Sequence, residues 1–359
     1  EAYSKWIRSH RDLPLKLNQW CSVVRWEFKN PQPFLRSREF WWQEGHTAFS
    51  TQKEAIAEAE DILSLYAQTF KELFAVPTLQ GIKSKKETFA GADFSLSVES
   101  WLPIGKAIQA GTSHHLGQHF SKAFDINFTN KKGEKDHVWQ NSWGISTRSI
   151  GMMIYMHGDS RGLVLPPAIA PYQVVIVPVR GDKNPDVIKH CKKLEKTLTK
   201  HFRVHLDDRE HLSVGFKFND WELKGVPVRI EIGPQELEKK KAVVFRRDND
   251  VKKDVLLSEL PSHVNGLLDG IQRALYKKAN QHLQQSIKNV KDFDALEETV
   301  DNENIGFAQW CGEPSCEETI KEKTGAKSLN SPFNQKKVSG NCFACDKEAA
   351  QKTYFGKSL

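Results

Sequence analysis

Three arginines in the first half of the chain have the residue type and spacing of an oxyanion-binding site. Arg25 and Arg36 stand on either side of the segment NPQP, and Arg148 follows the glycine-containing turn WGIST. A guanidinium stays charged at every relevant pH and binds oxyanions through paired hydrogen bonds. If the flanking segments pair around NPQP, the first two arginines converge, and three convergent arginines would fit a triphosphate. The same pattern is also typical of a charged strand face in contact with solvent.

Common phosphate-binding motifs do not account for this arrangement. The chain contains neither G-x-x-x-x-G-K-[ST] nor G-x-G-x-x-G, so neither a P-loop nor a Rossmann site would bind the phosphates. A triphosphate would therefore need another ATP-binding fold. Glu27, close to Arg25 in sequence, could accept a hydrogen bond from a base amino group or hold an arginine in place.

A second group of residues with metal-binding spacing lies near the end of the chain. Four of the six cysteines form a C-x4-C pair and a C-x2-C pair, at Cys311, Cys316, Cys342 and Cys345. Each close pair could bind a metal from one loop, and four thiolates suit tetrahedral zinc. The alternative is a set of unrelated reduced thiols. Cys21 and Cys191 lie among apolar residues, and we expect both to be buried thiols.

Composition excludes several classes of protein. The chain has 359 residues, 39% hydrophobic and 27% charged, which is ordinary for a water-soluble globular protein of two or three domains. No apolar run approaches the roughly 18 residues that suggest a transmembrane helix. The first residues lack the apolar segment of a secretory signal, so we expect a cytoplasmic protein. The net charge of +7 is compatible with a polyanionic partner.

The residues before the proline-rich segment 165–171 predict a mixed fold around a largely antiparallel sheet. Alternation in SVVRWEF predicts a strand with Val24, Trp26 and Phe28 inward, paired through NPQP with a second strand, FLRSREFWWQ. A helix should begin at Thr51 and end before Pro77. A strand ADFSLSVESWL follows, then a helix beginning near Thr112 or Ser113, a hairpin of DINF with HVWQNSW, and a helix capped by Ser146 or Thr147.

Beyond the proline-rich segment the pattern changes. Strands and helices alternate from residue 172 to residue 247, which predicts a small three-layer α/β domain. A long amphipathic helix should run from about Ser262 to Val290 and lead into the cysteine-bearing tail.

Long motifs in this order resemble one enzyme family. RWEFKNPQPFLRSREFWWQEGHTA resembles motif 2 of class II aminoacyl-tRNA synthetases, and QNSWGISTRSIG resembles motif 3. FAGAD, IQAGTSHHLGQ and GLVLPPAIAP are similar to segments of prolyl-tRNA synthetases of eukaryotes and archaea. The stretch from Asp207 to Pro234 resembles that family's anticodon-binding domain, and the tail resembles its additional carboxy-terminal domain.

The resemblance implies an α+β fold in three parts. Residues 1–170 would form the class II catalytic domain around an antiparallel sheet, residues 171–285 an α/β anticodon-binding domain, and residues 286–359 a small α/β domain of the zinc-binding type. Motif 1 and the Thr-x-Glu loop that binds the imino group of proline are expected upstream of Glu1. The implied protein is a cytoplasmic homodimer that does not associate with membranes.

The resemblance also implies a ligand set for ATP and proline. The family's ATP-binding positions correspond to Arg25, Glu27, Arg36, Gln109, Thr112 and Arg148. Arg25 and Arg148 would be catalytic, and Mg²⁺ would accompany ATP. The family's proline-binding positions correspond to Arg25, Trp42, Glu44, Phe89, His114, Ser142 and Trp143.

In the second domain the resemblance places anticodon contacts at Glu222 and Arg229, with Arg247 and Lys217 as further candidates. A carboxylate can accept from guanine N1 and N2, and an arginine can donate to O6 and N7. The implied activity is charging of tRNA(Pro) with L-proline at the cost of ATP. The alternatives are a synthetase-derived protein that binds tRNA without catalysis, and a class II synthetase for another small amino acid.

Overall fold

The structure, a computed structural model, describes residues 1–26, 29–333, 335–336 and 338–359. The described chain divides into two compact units. Unit 1 consists of Glu1–Lys71, Pro77–Met152 and Gln281–Leu359, and unit 2 consists of Glu72–Val76 and Met153–Asn280. Unit 1 therefore combines most of the predicted catalytic part with the cysteine-bearing tail.

The helices and strands follow one another along the chain in three stretches. The first holds α1 (Ala2–Trp6), β1 (Leu15–Val24), β2 (Glu39–Phe49), α2 (Gln52–Glu72), β3 (Leu79–Ile82), β4 (Phe94–Leu102), β5 (Lys106–Gly117), α3 (His119–Ala123), β6 (Asn127–Thr129), β7 (Lys135–His137), β8 (Trp139–Ser146) and α4 (Arg148–His157). The second holds β9 (Val174–Pro178), α5 (Pro185–Leu198), β10 (Val204–Leu206), α6 (Val214–Leu223), β11 (Val228–Ile232), α7 (Pro234–Glu238), β12 (Lys241–Arg246), β13 (Lys252–Leu256) and α8 (Leu260–Ser286). The third holds β14 (Ile287–Val290), α9 (Phe293–Asp301), β15 (Ile305–Trp310), α10 (Pro314–Thr324), β16 (Lys327–Ser328), β17 (Ser331–Pro332) and β18 (Gln351–Gly356). Single 3₁₀ turns occur at His10–Asp12 and Gly181–Lys183.

Unit 1 is built on a seven-stranded sheet in the order β1-β2-β8-β5-β4-β3-β17. All of its strand pairs are antiparallel, which confirms the predicted α+β sheet. Helix α2 covers one face, where the Tyr66 hydroxyl donates to Gln43 Oε1 at 2.8 Å and buried Glu58 accepts from Asn141. Helix α2 does not cover the opposite face of the central strands β2, β8 and β5.

The predicted start of α2 is confirmed. Thr51 Oγ1 accepts from the Glu54 N–H at 3.3 Å and donates to the Glu54 carboxylate at 2.8 Å. A cap of this kind stabilises a helix by about 1 kcal/mol. The buried residues of the helix recur every three or four positions, at Ala55, Glu58, Ala59, Leu63, Tyr66 and Phe70, because only one stripe of an amphipathic helix faces the sheet.

The predicted hairpin around NPQP is partly wrong. Strand β1 ends at Val24 and β2 begins only at Glu39, so the loop is longer than predicted. Val24 and Trp26, predicted to face inward, are 70% and 80% exposed; Phe28 lies outside the described residues. Alternation shows which side chains share a face, but it does not show whether another element covers that face. The segments still converge, since the Arg25 N–H donates to the Arg38 carbonyl at 2.7 Å.

The predicted start of a helix near Thr112 is wrong, because residues 106–117 form the central strand β5 and the helix, α3, begins only at His119. Both faces of β5 are largely buried between β4 and β8. A strand buried on both faces has no reason to alternate in polarity, so its sequence carries no period-two signal.

Two further boundaries differ from the prediction. DINF pairs with the start of HVWQNSW as predicted, through Asn127 with His137, but the hairpin is short and the rest of HVWQNSW forms β8 between β2 and β5. Helix α8 ends at Ser286, and the next four residues form β14. Cys191 is buried as expected, whereas Cys21 is only partly buried because β1 is an edge strand of the sheet. By contrast, α4 begins at Arg148, as the predicted cap implies.

Unit 2 has the predicted three-layer arrangement. Its five-stranded sheet has the order β10-β9-β11-β12-β13, parallel in the first three strands and antiparallel beyond. Val174 and Ile176 of β9 pack in the core that includes residues of α5 and α8. Val175 and Val177 pack on the other face, against Trp221 of α6.

The last stretch of unit 1 forms a smaller layer of its own. Strands β14, β15, β18 and β16 make a four-stranded sheet, and its core includes Leu296, Trp310, Ile320 and Phe355. Within the described part of the chain, the structure contains no helix with the length and apolar character needed to cross a bilayer.

Candidate active site

A cleft of about 550 Å³ lies in unit 1, on the face of the large sheet that α2 leaves uncovered. Strand register builds its floor from β2, β8 and β5. Glu44 pairs with Gly144, which pairs with Thr112, and in the next row Ser142 stands between His46 and His114. Because side chains alternate along a strand, these residues all point to the same face. Three segments distant in sequence thereby form one surface.

The three predicted arginines lie at this cleft. Arg25, Arg36 and Arg148 all line it. Arg148, the first residue of α4, donates through Nε to the Leu35 carbonyl at 3.1 Å and through Nη1 to the Gln109 carbonyl at 3.4 Å. Burial lowers the pKa of Arg148, the positive charge of Arg36 lowers it further, and the charge of Arg25 adds a smaller effect in the same direction. Like charges held this close are stabilised by an anion between them.

Gln109 and Thr112, the other described ATP candidates, lie on β5 and also line the cleft. The Gln109 Oε1 accepts a hydrogen bond from Lys83 Nζ at 2.8 Å. Glu27, the remaining predicted ATP ligand, lies outside the described residues.

The predicted proline residues His114 and Phe89 form a compact apolar corner. Their rings lie 5.0 Å apart. Ser95 Oγ lies 2.7 Å from His114 Nδ1 and accepts a hydrogen bond from the Phe89 N–H. Burial lowers the pKa of His114 to about 4, with a smaller contribution from the charge of Lys83. His114 is therefore neutral near pH 7, and the ring tautomer decides whether the Ser95 hydroxyl donates to Nδ1 or accepts from it.

Trp42, Glu44 and Ser142 also line the cleft. The Trp42 indole donates to Cys21 Sγ at 3.2 Å, and the guanidinium of Arg25 lies 5.2 Å from the centre of its ring. The Glu44 carboxylate accepts from the Gln19 side-chain amide at 2.7 Å. These contacts restrict the rotamers of Trp42 and Glu44.

Trp143 has a different position from the other proline candidates. It borders the cleft, but it pairs with Gly45 across β2 and β8, and alternation turns its side chain toward the α2 face. A Cβ at position 45 would overlap the indole ring. The glycine thus provides the space in which the tryptophan lies beneath the floor of the cleft.

Reasoning from the sequence missed several residues that shape this site. Phe40, His46 and Phe120 line the cleft, and Ser95 and Lys83 hold two of the predicted ligands. Lys83 and Ser95 belong to neighbouring segments of the sheet, and the Lys83 N–H donates to the Ser95 carbonyl at 2.9 Å. No local pattern marks them, because each acts through a residue that is distant in sequence.

The anticodon candidates in unit 2 form buried ion pairs. Arg229 is 3% exposed and donates to Glu222 Oε1 at 2.9 Å and to Glu231 Oε1 at 2.9 and 3.0 Å. Its guanidinium lies over Phe218 at 3.9 Å and over Phe245 at 4.3 Å. Contact with a guanine would require Arg229 to exchange one of these carboxylates for the base.

Arg247 is still more enclosed, at 1% exposure. It binds both oxygens of Asp159 at 2.7 Å and the Glu222 carbonyl at 3.1 Å. The hydrogen bond from Arg247 is the main cause that holds the pKa of Asp159 well below its usual range. Lys217, the weaker candidate, is buried and donates to the Asp207 carbonyl. Both side chains are committed to internal contacts.

The four cysteines of the tail come together, as their spacing predicts. Their sulfur atoms lie within 4.8 Å of one another, with Cys311 Sγ 3.6 Å from Cys345 Sγ and Cys316 Sγ 3.8 Å from Cys342 Sγ. Zinc–sulfur bonds of about 2.3 Å in a tetrahedron place the sulfurs about 3.8 Å apart. The geometry fits a four-thiolate zinc site.

Comparison with known proteins assigns this fold. Residues 1–157 match the tRNA synthetase class II core domain (G, H, P, S and T), residues 173–267 match an anticodon binding domain, and residues 293–359 match the carboxy-terminal domain of prolyl-tRNA synthetases. Together with the antiparallel sheet and its arginine-lined cleft, these matches define a class II aminoacyl-tRNA synthetase.

Individual relatives show to which family of class II synthetases the chain belongs. The chain is 48% identical to "Proline--tRNA ligase, cytoplasmic" of Arabidopsis thaliana, over 99% of this chain and 69% of that protein. It is 49% identical to "Proline--tRNA ligase" of Alkaliphilus oremlandii, over 100% of this chain and 74% of that protein. The corresponding enzyme of Oceanobacillus iheyensis is 46% identical, with the same coverage. The chain belongs to the prolyl-tRNA synthetase family.

Proposed function

We propose that this chain activates L-proline with ATP and transfers the prolyl group to the 3′ end of tRNA(Pro). The observation that carries the proposal is the cleft of unit 1, which has arginines at one region and a neutral, aromatic corner at another. Arginines suit the phosphates of ATP, and flat rings suit the pyrrolidine of proline. The family match supports the same reaction.

The first step needs no nucleophile from the protein. A carboxylate oxygen of proline attacks the α-phosphorus of ATP, and the bond to the bridging oxygen of the β-phosphate breaks, releasing pyrophosphate. Arg25 and Arg148 would stabilise the charge that develops on the α-phosphate, while Arg36, Gln109 and Thr112 bind the rest of the nucleotide. Catalysis then depends mainly on the alignment of the two substrates. Glu27 completes the proposed ATP set.

The second step transfers the prolyl group. A ribose hydroxyl of the terminal tRNA nucleotide attacks the carbonyl carbon of prolyl-adenylate, and AMP leaves with the electrons of the broken anhydride bond. Phe89, His114 and Ser142 would surround the ring of proline, with Trp42 and Glu44 beside it and Trp143 supporting the floor from beneath. A neutral His114 adds no positive charge near the amino acid.

Two metals belong to the proposal. Class II synthetases use Mg²⁺ with ATP, and here Mg²⁺ would bind the phosphates and offset their charge. Zn²⁺ would be held by Cys311, Cys316, Cys342 and Cys345 as a structural ion. It would cross-link the end of β15, the first turn of α10 and the loop before β18.

The remaining expectations concern organisation and tRNA contact. We propose the three-domain division 1–170, 171–285 and 286–359, a homodimeric enzyme, and a cytoplasmic location. For the anticodon, Glu222 and Arg229 would contact guanine, with Arg247 holding the backbone beneath them. The ion pair between Glu222 and Arg229 supports this proposal. A guanine that entered between them could donate to the carboxylate and accept from the guanidinium.

Proline-dependent exchange of labelled pyrophosphate into ATP tests the proposal in the intact protein. We expect exchange with proline, a much lower rate with alanine, cysteine or threonine, and a loss of at least 100-fold in Arg148→Ala. The exposed Arg11 provides the matched control, since Arg11→Ala removes the same group outside the cleft. Absence of exchange would favour a tRNA-binding protein without catalysis, and a preference for another amino acid would favour a different class II specificity.

A further inference from the structure

The side chain of Gln109 separates two cavities of unit 1. It lines the cleft described above, and it also lines a second cavity of about 310 Å³ whose wall includes Lys83, Glu87 and Glu99. Lys83 reaches Gln109 from the side of this second cavity. Lys83 lines only the second cavity, so its contact holds Gln109 Oε1 on that side.

Chemistry determines which end of the amide faces Lys83. An ammonium group has three donors and no acceptor, so its partner 2.8 Å away must be the carbonyl oxygen Oε1 and cannot be the amide nitrogen. With Oε1 held by Lys83, the NH₂ group of Gln109 is the end that remains for the cleft. An unrestrained glutamine could present either end by turning about its last torsion.

Two neighbouring carboxyl groups, one of them buried, restrict the position of Lys83. Its side chain is 9% exposed, and Nζ lies 3.7 Å from Glu99 Oε1 and 3.9 Å from Glu87 Oε2. Glu99 and Gln109 are cross-strand partners on β4 and β5, so carboxylate, ammonium and amide occupy one compact group. Burial raises the pKa of Glu99, and the positive charge of Lys83 opposes that shift. Removing one member of such a buried pair is costly, so the pair restricts the freedom of the Lys83 side chain.

The carboxy-terminal stretch also contacts the segment that carries Lys83. Ser84, next to Lys83, donates to Glu317 Oε1 at 3.1 Å, and Ser328 donates to the same oxygen. Glu317 lies on α10 beside Cys316, one of the four clustered cysteines. The backbone that carries Lys83 is thereby tied to the helix that carries one of the proposed zinc ligands.

From these contacts we propose that Lys83 is a positioning residue for ATP. It fixes the amide of Gln109 so that Nε2–H donors, and no acceptor, face the nucleotide, and Glu99 holds Lys83 in place for this purpose. The proposal rests on the proposed function, because it assumes that Gln109 contacts ATP. It assigns a role to a residue that does not itself reach the cleft.

The test is a double-mutant cycle in the intact protein, with pyrophosphate exchange as the assay. We expect Lys83→Met to raise the KM for ATP about 10-fold, which is the effect of one lost or misdirected hydrogen bond, and to leave the KM for proline within about twofold. In a Gln109→Ala background the same change should add almost nothing, because its target is gone. Lys83→Arg, which keeps a cationic donor, should recover part of the affinity.

Two further variants keep the test decisive. Lys86→Met removes the same group three residues away, where Lys86 pairs with Glu318 on the surface at 3.1 Å, and it should leave both KM values unchanged. If Lys83→Met does not fold because Glu99 is left unpaired, Lys83→Met with Glu99→Gln removes both buried charges and takes its place in the cycle.

The outcomes separate this proposal from the proposed function. If Gln109→Ala leaves the KM for ATP unchanged, Gln109 is not an ATP ligand, and that part of the proposed function fails. If Gln109→Ala raises the KM for ATP while the Lys83 variants do not, only the positioning role is overturned. Equal effects of the Lys83 change in both backgrounds would also overturn it, since Lys83 would then act independently of Gln109.

Discussion

Burial of His114 makes the stability of unit 1 depend on pH in a direction that the structure specifies. Burial lowers the pKa of this histidine to about 4, whereas an unfolded chain has a histidine pKa of about 6.5. As pH falls below that value, the unfolded state takes up a proton that the folded state does not. Acidification therefore favours unfolding at this position, and the loss is complete below the folded pKa.

The size of the effect follows from the two pKa values. Between about pH 7 and about pH 5, the free energy of unfolding should fall by about 2 kcal/mol through His114 alone. His114→Gln removes the titrating group and should remove this share of the pH dependence. Any constant cost of the substitution cancels when the same variant is compared with itself at the two pH values.

Urea unfolding at the two pH values, for wild type and His114→Gln, measures the difference. Ser95→Ala is the matched control: it removes the hydrogen-bond partner of His114 but leaves the ring buried, so most of the pH dependence should stay. Histidine-selective NMR gives a direct check, with the resonance that disappears in His114→Gln showing no titration above about pH 5. A midpoint near the unfolded value, or equal pH dependence in wild type and His114→Gln, would refute the reasoning.

Three other outcomes follow from the structure. Purified protein should contain one zinc per chain, and Cys316→Ser should lose it together with thermal stability; metal analysis well below one zinc in the wild type would contradict the site. Arg229→Ala should destabilise unit 2 by about 3 to 5 kcal/mol, because Glu222 and Glu231 lose the buried cation that hydrogen-bonds to both. Lys252→Ala removes a half-exposed partner of Glu231 and leaves Arg229 in place, so it should cost less than about 1 kcal/mol in the same urea titration. Gly45→Ala should cost about 1 to 3 kcal/mol in thermal unfolding, since its Cβ would overlap the indole beneath it; an unchanged melting temperature would show that the ring moves freely.

Much of the fold could be predicted because its signals are local. The cap of α2 at Thr51 and the start of α4 at Arg148 depend on neighbouring residues, and both agree with the structure. The predicted faces of Val24 and Trp26 were wrong, as was the predicted start of a helix near Thr112. In these cases burial depends on strands that arrive from elsewhere in the chain, and no window of sequence contains that information.

The candidate site likewise combines features that local sequence predicts with features that depend on the folded sheet. Arginines on either side of NPQP and a third at a helix start indicated convergence, and all three line one cleft. The neighbours that set the chemistry of the other ligands were not predictable. Ser95 reaches His114 from the adjacent strand β4, and Lys83 reaches Gln109 from the segment after β3, so both contacts depend on how the folded sheet is assembled. The prediction of Arg229 as a base reader likewise did not foresee two internal carboxylate partners.

The amino-acid sequence by itself determined the family, the arginines and the cysteine pairs, because motifs and spacing are linear properties that a chain carries whether or not it is folded. Tertiary structure alone decided which face of β5 meets the cleft, which end of the Gln109 amide is turned inward, and why His114 is neutral. Each of these depends on burial and on distances between segments far apart in the chain. Hydrogen-bond direction and desolvation arise only when those segments pack together.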